Sequence, residues 1–124
     1  MDLFESLKKQ ERLRENYWKN DDYFLPIRLK WRAQMVRHFF HLFPENSILE
    51  VGSGSCQWTS EISKANGNRN PICAAIFNKE LYDEGDPSSF SENIERIHLD
   101  KYPGKLNDRQ FDFIVSYHLF NLFW

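Results

Sequence analysis

Cysteine is scarce in this 124-residue chain, with Cys56 and Cys73 the only two. Lacking a CxxC spacing, they build neither a zinc site nor a disulfide framework, so a reducing, cytoplasmic setting is expected. Long apolar runs are missing and the opening MDLFESLKKQ is charged throughout, so neither a membrane span nor a signal peptide is expected. A dominant charge is missing too: sixteen Lys and Arg face eighteen Asp and Glu, for a formal net charge of -2. That balance gives no bulk attraction to nucleic acid or an anionic membrane. Internal repeats and low-complexity tracts are not visible, and no Ser-His-Asp order, P-loop lysine or carboxylate pair stands out in the sequence.

What is present suits one folded domain: 41% hydrophobic and 27% charged residues exclude a disordered chain, and the length leaves room for a single core. Charge divides the chain in two, with nine basic and six acidic residues over 1–44 and seven basic and twelve acidic over 45–124. The first part reads as a helical extension and the second as a partial α/β domain.

Asp2 followed by Glu5 has capping-box spacing and predicts a helix to about Trp18. Its apolar positions Leu3, Phe4, Leu7, Leu13, Tyr17 and Trp18 form an interrupted stripe, which predicts a helix lying on a surface. A polar loop over 19–22 follows. From Pro26, residues Leu29, Ala33, Val36, Phe40 and Phe43 share one face of a helix that Pro44 should stop. Arg28, Arg32 and Arg37 lie opposite and read most simply as a solvated face rather than a substrate-binding one. Apolar runs at 47–51, 72–77, 93–98 and 111–116 read as strands, with a helical segment at 57–65 and a short polar helix or turn at 79–85. The alternation predicts a parallel sheet of βαβ units, Rossmann-like and incomplete, with about four strands and an N-terminal helical extension.

Glu50-Val51-Gly52-Ser53-Gly54-Ser55-Cys56 lies between a strand and a helix. Glycines there let the backbone turn sharply and approach a ligand, while the helix N-terminus offers free N–H groups. A dinucleotide fingerprint would need a glycine where Gln57 stands, with its acidic residue well downstream. Ile48 to Cys56 instead resembles the first motif of class I S-adenosylmethionine-dependent methyltransferases, an acidic residue followed by alternating glycines, with Cys56 in place of the third glycine. The similarity in order and spacing runs from about Ile48 to Leu122.

The resemblance implies S-adenosylmethionine as cofactor, held by Glu50, Gly52, Ser53 and Gly54. Ile76 stands where the family carries a ribose-binding acid, leaving Asn78 as the nearest hydrogen-bonding substitute. Asp100 after the third strand is an adenine-binding candidate or a turn residue. Ser116 and His118 follow the fourth strand, where open α/β sheets place ligands, with His118 either a catalytic base or a structural residue. The implied activity is methyl transfer to a small-molecule or saccharide acceptor, as the N-terminal part of a longer enzyme. A non-catalytic module needing a partner chain and a nicotinamide-dependent oxidoreductase fragment are the alternatives.

His38 and His41 are three residues apart but lack a third metal ligand nearby, so no metal site is expected. Cys73 reads as core, and Trp31, Phe39 and Phe40 as helix–sheet packing. The final six residues include five large apolar ones, which predicts a truncated end or one covered by another chain. An open strand edge near 111–124 would favour self-association or a partner.

Overall fold

The computed structural model describes residues 2–20, 25–85, 93–101 and 104–117. Helix α1 (Leu3–Lys19) starts at Asp2, whose side chain accepts the Glu5 N–H at 2.9 Å. Helix α2 (Leu25–Phe39) is followed by strand β1 (Ile48–Val51), helix α3 (Gln57–Asn66), strand β2 (Ile72–Ile76), helix α4 (Lys79–Glu84), strand β3 (Ile94–His98) and strand β4 (Phe113–Val115). A short 3₁₀ turn at Gly104–Leu106 precedes β4. Gly67, at φ 60°, closes α3 by donating its N–H to the Ser63 carbonyl, as a left-handed cap residue should.

The four strands form one parallel sheet in the order β3-β2-β1-β4. Chain order therefore reverses between β1 and β4, and the crevice above their carboxyl ends is the position at which open α/β sheets bind ligands. This is the Rossmann-like arrangement expected from the alternating pattern. β2 lies between β1 and β3 and is buried along its whole length, which explains its unbroken Ile-Cys-Ala-Ala-Ile run. One apolar cluster joins Trp18, Leu25, Leu29 and Ala33 to Ile48, Trp58, Ile62 and Ile72, so the N-terminal helices complete the same core as the sheet. A second gathers Leu7, Leu49, Cys73, Ala75, Phe77, Ile97 and Leu99. Cys73 is fully buried there, as expected of a core residue.

Three local expectations are corrected. Helix α2 ends at Phe39, well before Pro44, because His41 adopts φ 53° and the Leu42 N–H reaches back to the Arg37 carbonyl at 3.1 Å. That closure turns Leu42 into the core and leaves Phe39, Phe40 and Phe43 outside it, at 65, 61 and 61% exposure; Trp31 is also exposed. Strand β4 is shorter than the 111–116 run, since Asp112 folds back to accept the Ser47 N–H at 2.9 Å while its own N–H donates to Ser47 Oγ. Helix α1, expected to rest on its apolar stripe, instead buries Leu7, Glu11, Arg14, Glu15 and Trp18, leaving Leu3, Leu13 and Tyr17 exposed.

Arg28, Arg32 and Arg37 are exposed, as anticipated. β4 lies at an edge of the sheet with Ile114 exposed. Among the described residues, no helix is long and apolar enough to cross a membrane, and no group of three metal-ligating side chains exists.

Candidate functional site

The loop leaving β1 explains its own sequence. Gly52, Gly54 and Cys56 have φ of 78°, 56° and 63°, so every second residue is left-handed. That region suits glycine and strains a residue with a Cβ, which accounts for glycine at the first two positions and identifies Cys56 as the strained third. The N–H groups of Gly52 and Ser53 both donate to the Ala75 carbonyl, and the Cys56 N–H donates to that of Ser53. Ser53 Oγ donates to the Glu50 carbonyl at 3.1 Å. The loop is thus riveted to β2, and the N–H groups of Gly54 and Ser55 project as donors, the nest-like arrangement that receives anionic groups.

Two carboxylates from α1 occupy those donors. Glu11 Oε2 accepts the Gly54 N–H at 3.1 Å and that of Phe77 at 3.3 Å, while its Oε1 accepts the Asn78 N–H at 2.7 Å. Glu15 accepts from the Ser55 N–H at 3.2 Å and from Ser55 Oγ at 2.7 Å. Between them Arg14 donates to Glu15 Oε1 at 3.0 Å and to the Tyr117 carbonyl at 2.8 Å, with its guanidinium 4.5 Å from the Trp18 ring centre. One helix face therefore spans the ends of β1, β2 and β4.

Glu50 lies beneath this layer, 2% exposed, with Oε1 accepting from Thr59 Oγ1 at 2.7 Å. Its Oε2 is buried without a hydrogen-bond partner among the described residues. Burial raises its pKa above the ordinary carboxylate range, against the pull of Arg14 and Thr59. Burial likewise pushes Glu11 up to about 7, the N–H of Asn78 and the charge of Arg14 opposing it. Three buried carboxyl groups thus surround one buried guanidinium, whose Nε, like Glu50 Oε2, has no hydrogen-bond partner among the described residues; acidic groups outnumber basic ones there, which favours a cationic group.

The other anticipated residues fall differently. Asn78 sits at the end of β2, but its side-chain oxygen caps α4 by accepting the Leu81 N–H at 3.1 Å, and its amide donates to the Lys8 carbonyl. Ile76 is fully buried. Asp100 follows β3 and is exposed. Ser116 Oγ donates to the Val51 carbonyl at 3.1 Å, tying the end of β4 to β1. His118 lies outside the described residues. Glu50, Gly52, Ser53, Gly54, Ser116 and the backbone of Asn78 thus gather along the carboxyl edge of the sheet, whereas among the described residues no hydrogen bond joins Asp100 to them.

Glu11, Arg14 and Glu15 were missed by sequence reasoning. Their signal was helical spacing from Leu7 through Glu11 and Arg14 to Trp18, a stripe whose middle is charged.

A cleft of about 280 Å³ opens between α2 and the end of β4, lined by Arg32, Met35, Phe39, Trp58, Ser116 and Tyr117. The buried Trp58 Nε1 has no hydrogen-bond partner among the described residues, and the Trp58 and Tyr117 rings meet edge to face at 5.0 Å. A second cleft of about 350 Å³ lies on the other side of Tyr117, beside Arg14, Trp18 and Arg28.

Comparison with protein-family models, curated proteins and solved structures returned no match for this chain.

Proposed function

We propose that this chain is the cofactor-binding part of a class I S-adenosylmethionine-dependent methyltransferase. The observation carrying the reading is Glu50 Oε2, a buried acceptor without a partner beneath a loop whose alternate residues are left-handed. A buried carboxylate oxygen left in that state is costly, and an ammonium group such as that of the cofactor's methionine end would satisfy it. The surplus of carboxylates over Arg14 favours a ligand with positive centres. Gly54 and Ser55 would offer N–H groups to the same end of the molecule, and Asn78 its N–H to the nucleoside end.

The cofactor supplies a methyl group on a sulfonium centre, which passes to a nucleophilic O, N or C atom of the acceptor. The chain's own share is alignment and exclusion of water, with a group to receive the acceptor's proton. Ser116, at the carboxyl edge, is the candidate for contact with the acceptor, and His118, two residues later in the sequence, the candidate to receive the proton. The cleft between Arg32 and Tyr117 is of a size for a small molecule or one sugar ring, and a small-molecule or saccharide acceptor in the cytoplasm remains the reading.

Ile76 favours a second reading. With no acid at the end of β2, the chain could be a non-catalytic Rossmann-like module that pairs with a partner through β4, whose outer edge is exposed at Ile114. Calorimetric titration with S-adenosylmethionine and, in parallel, NAD separates the readings. Saturable binding of the first alone, abolished by Gly52→Val with helix content retained, is the expected result. Binding of NAD alone would assign an oxidoreductase fragment, and binding of neither would favour the module.

A further inference from the structure

We infer that helix α1 is an autoinhibitory lid: Glu11 and Glu15 occupy the backbone donors of the cofactor seat, and the helix must lift before the cofactor enters. The ligand's identity rests on the S-adenosylmethionine reading; the closed state does not. Glu11 bridges the two walls of the seat, bonding Gly54 on the β1 loop and Asn78 after β2, while Glu15 takes both donors of Ser55. No gap separates helix from loop. A Cβ on Gly54 would overlap Glu15 Oε1 and come within 2.8 Å of Arg14 Nη2.

The attachment is also of a reversible kind. Of the five buried residues of α1, three are charged; the apolar attachment is Leu7, Trp18 and the partly buried Phe4, which meets Phe77 edge to face at 5.7 Å. Carboxylates that hold N–H groups can be exchanged for a ligand that holds the same groups, whereas an apolar face offers no such substitute. Burial pushes the pKa of Glu11 up to about 7, because its charged form is desolvated where the helix docks. A seat closed most of the time lowers apparent affinity in proportion to the open fraction.

The test pairs hydrogen exchange with titration of S-adenosylhomocysteine, using the full chain and Glu11→Gln/Glu15→Gln, which keeps shape but turns one acceptor oxygen of each side chain into a donor, so that the N–H groups of Gly54, Asn78 and Ser55 can no longer all be held. In the unsubstituted chain, the amides of α1 should exchange together and faster than Cys73–Ala75 of β2. S-adenosylhomocysteine should speed α1 exchange while protecting Gly54 and Asn78. The double variant should bind about tenfold tighter, through a larger open fraction. Slow β2 exchange verifies its fold; if that is lost, Glu15→Gln alone should still bind more tightly.

Unchanged binding would overturn the lid, and weaker binding would make the two carboxylates cofactor ligands instead. If no protein binds, the methyltransferase reading fails and exchange alone decides. Exchange of α1 ahead of β2 then supports a lid, and exchange at the β2 rate makes α1 a fixed part of the fold.

Discussion

Replacing Arg14 with Met should be among the most damaging single substitutions in the chain. Arg14 is 7% exposed and joins α1 to the end of β4 through the Tyr117 carbonyl, pairs with Glu15 and stacks on Trp18. Methionine keeps much of the side-chain volume but leaves Glu11, Glu15 and Glu50 buried without a counter-charge. Removing one partner of a buried ion pair costs about 3–5 kcal/mol, because the remaining charge is stranded. For a 124-residue domain about 1 kcal/mol shifts Tm by roughly 4 °C, so a fall of more than about 10 °C is expected at pH 8. At about pH 5 the loss should shrink, since protonation can neutralise the stranded carboxyl groups. Arg12→Met is the control. It sits two residues away on α1, but its partners Glu80 and Glu84 are 80 and 57% exposed, and exposed pairs contribute about 0–1 kcal/mol. Circular-dichroism melts of both variants read the difference. A loss below about 1 kcal/mol for Arg14→Met would refute the view that the buried face of α1 is held by this charge network.

Stability should fall as pH rises from 4.5 to about 7, because the folded state raises the pKa of Glu11 over that interval and so binds a proton more tightly than the unfolded chain. The loss is of order 3 kcal/mol, complete above pH 7 and absent below pH 4.5, with Arg14, Glu15 and Glu50 the charged groups around it; melts of Glu11→Gln that keep the full slope would contradict the assignment. Gly67→Ala, with φ 60° and nothing within 4 Å of the new Cβ, should cost about 1 kcal/mol of backbone strain. Gly54→Ala should cost more, since its Cβ also meets Glu15 and Arg14; equal losses in urea melts would deny the close contact of helix and loop. Burial pushes the thiols of Cys56 and Cys73 up to about 12 and about 11, so a thiol reagent should label neither cysteine in the folded chain and both in denaturant; rapid labelling of the folded chain would show that the core is open.

The strands were legible because their chemistry is local. Ile72–Ile76 is apolar throughout, as a strand flanked on both sides must be, and the chain order then leaves few parallel arrangements. The β1 loop was legible because left-handed backbone geometry constrains residue type at Gly52 and Gly54, and the strained Cys56 shows the same constraint at a position where the sequence departs from it. The docking of α1 was not legible. Periodicity assigns charged residues to solvent, yet Glu11 and Glu15 are buried because the backbone donors of Gly54, Ser55 and Asn78 satisfy them. The early end of α2 was hidden for a similar reason: the left-handed turn at His41 goes with the burial of Leu42, a tertiary contact that outweighs the helical spacing of Phe40 and Phe43. Asn78 was expected at a ligand, but its position before α4 makes it a helix cap first.

The most direct test of the cofactor site is a nitrogen–proton correlation spectrum of the labelled chain, titrated with S-adenosylhomocysteine. The sequence has only five glycines, at positions 52, 54, 67, 85 and 104, so the loop amides can be read from a sparse and well-separated region. Saturable shifts at Gly52, Gly54, Ser55 and Asn78, with Gly67 and Gly104 unmoved, are the expected result. Shifts confined to residues around the Arg32–Tyr117 cleft, or none at any concentration, would contradict a cofactor site on the β1 loop.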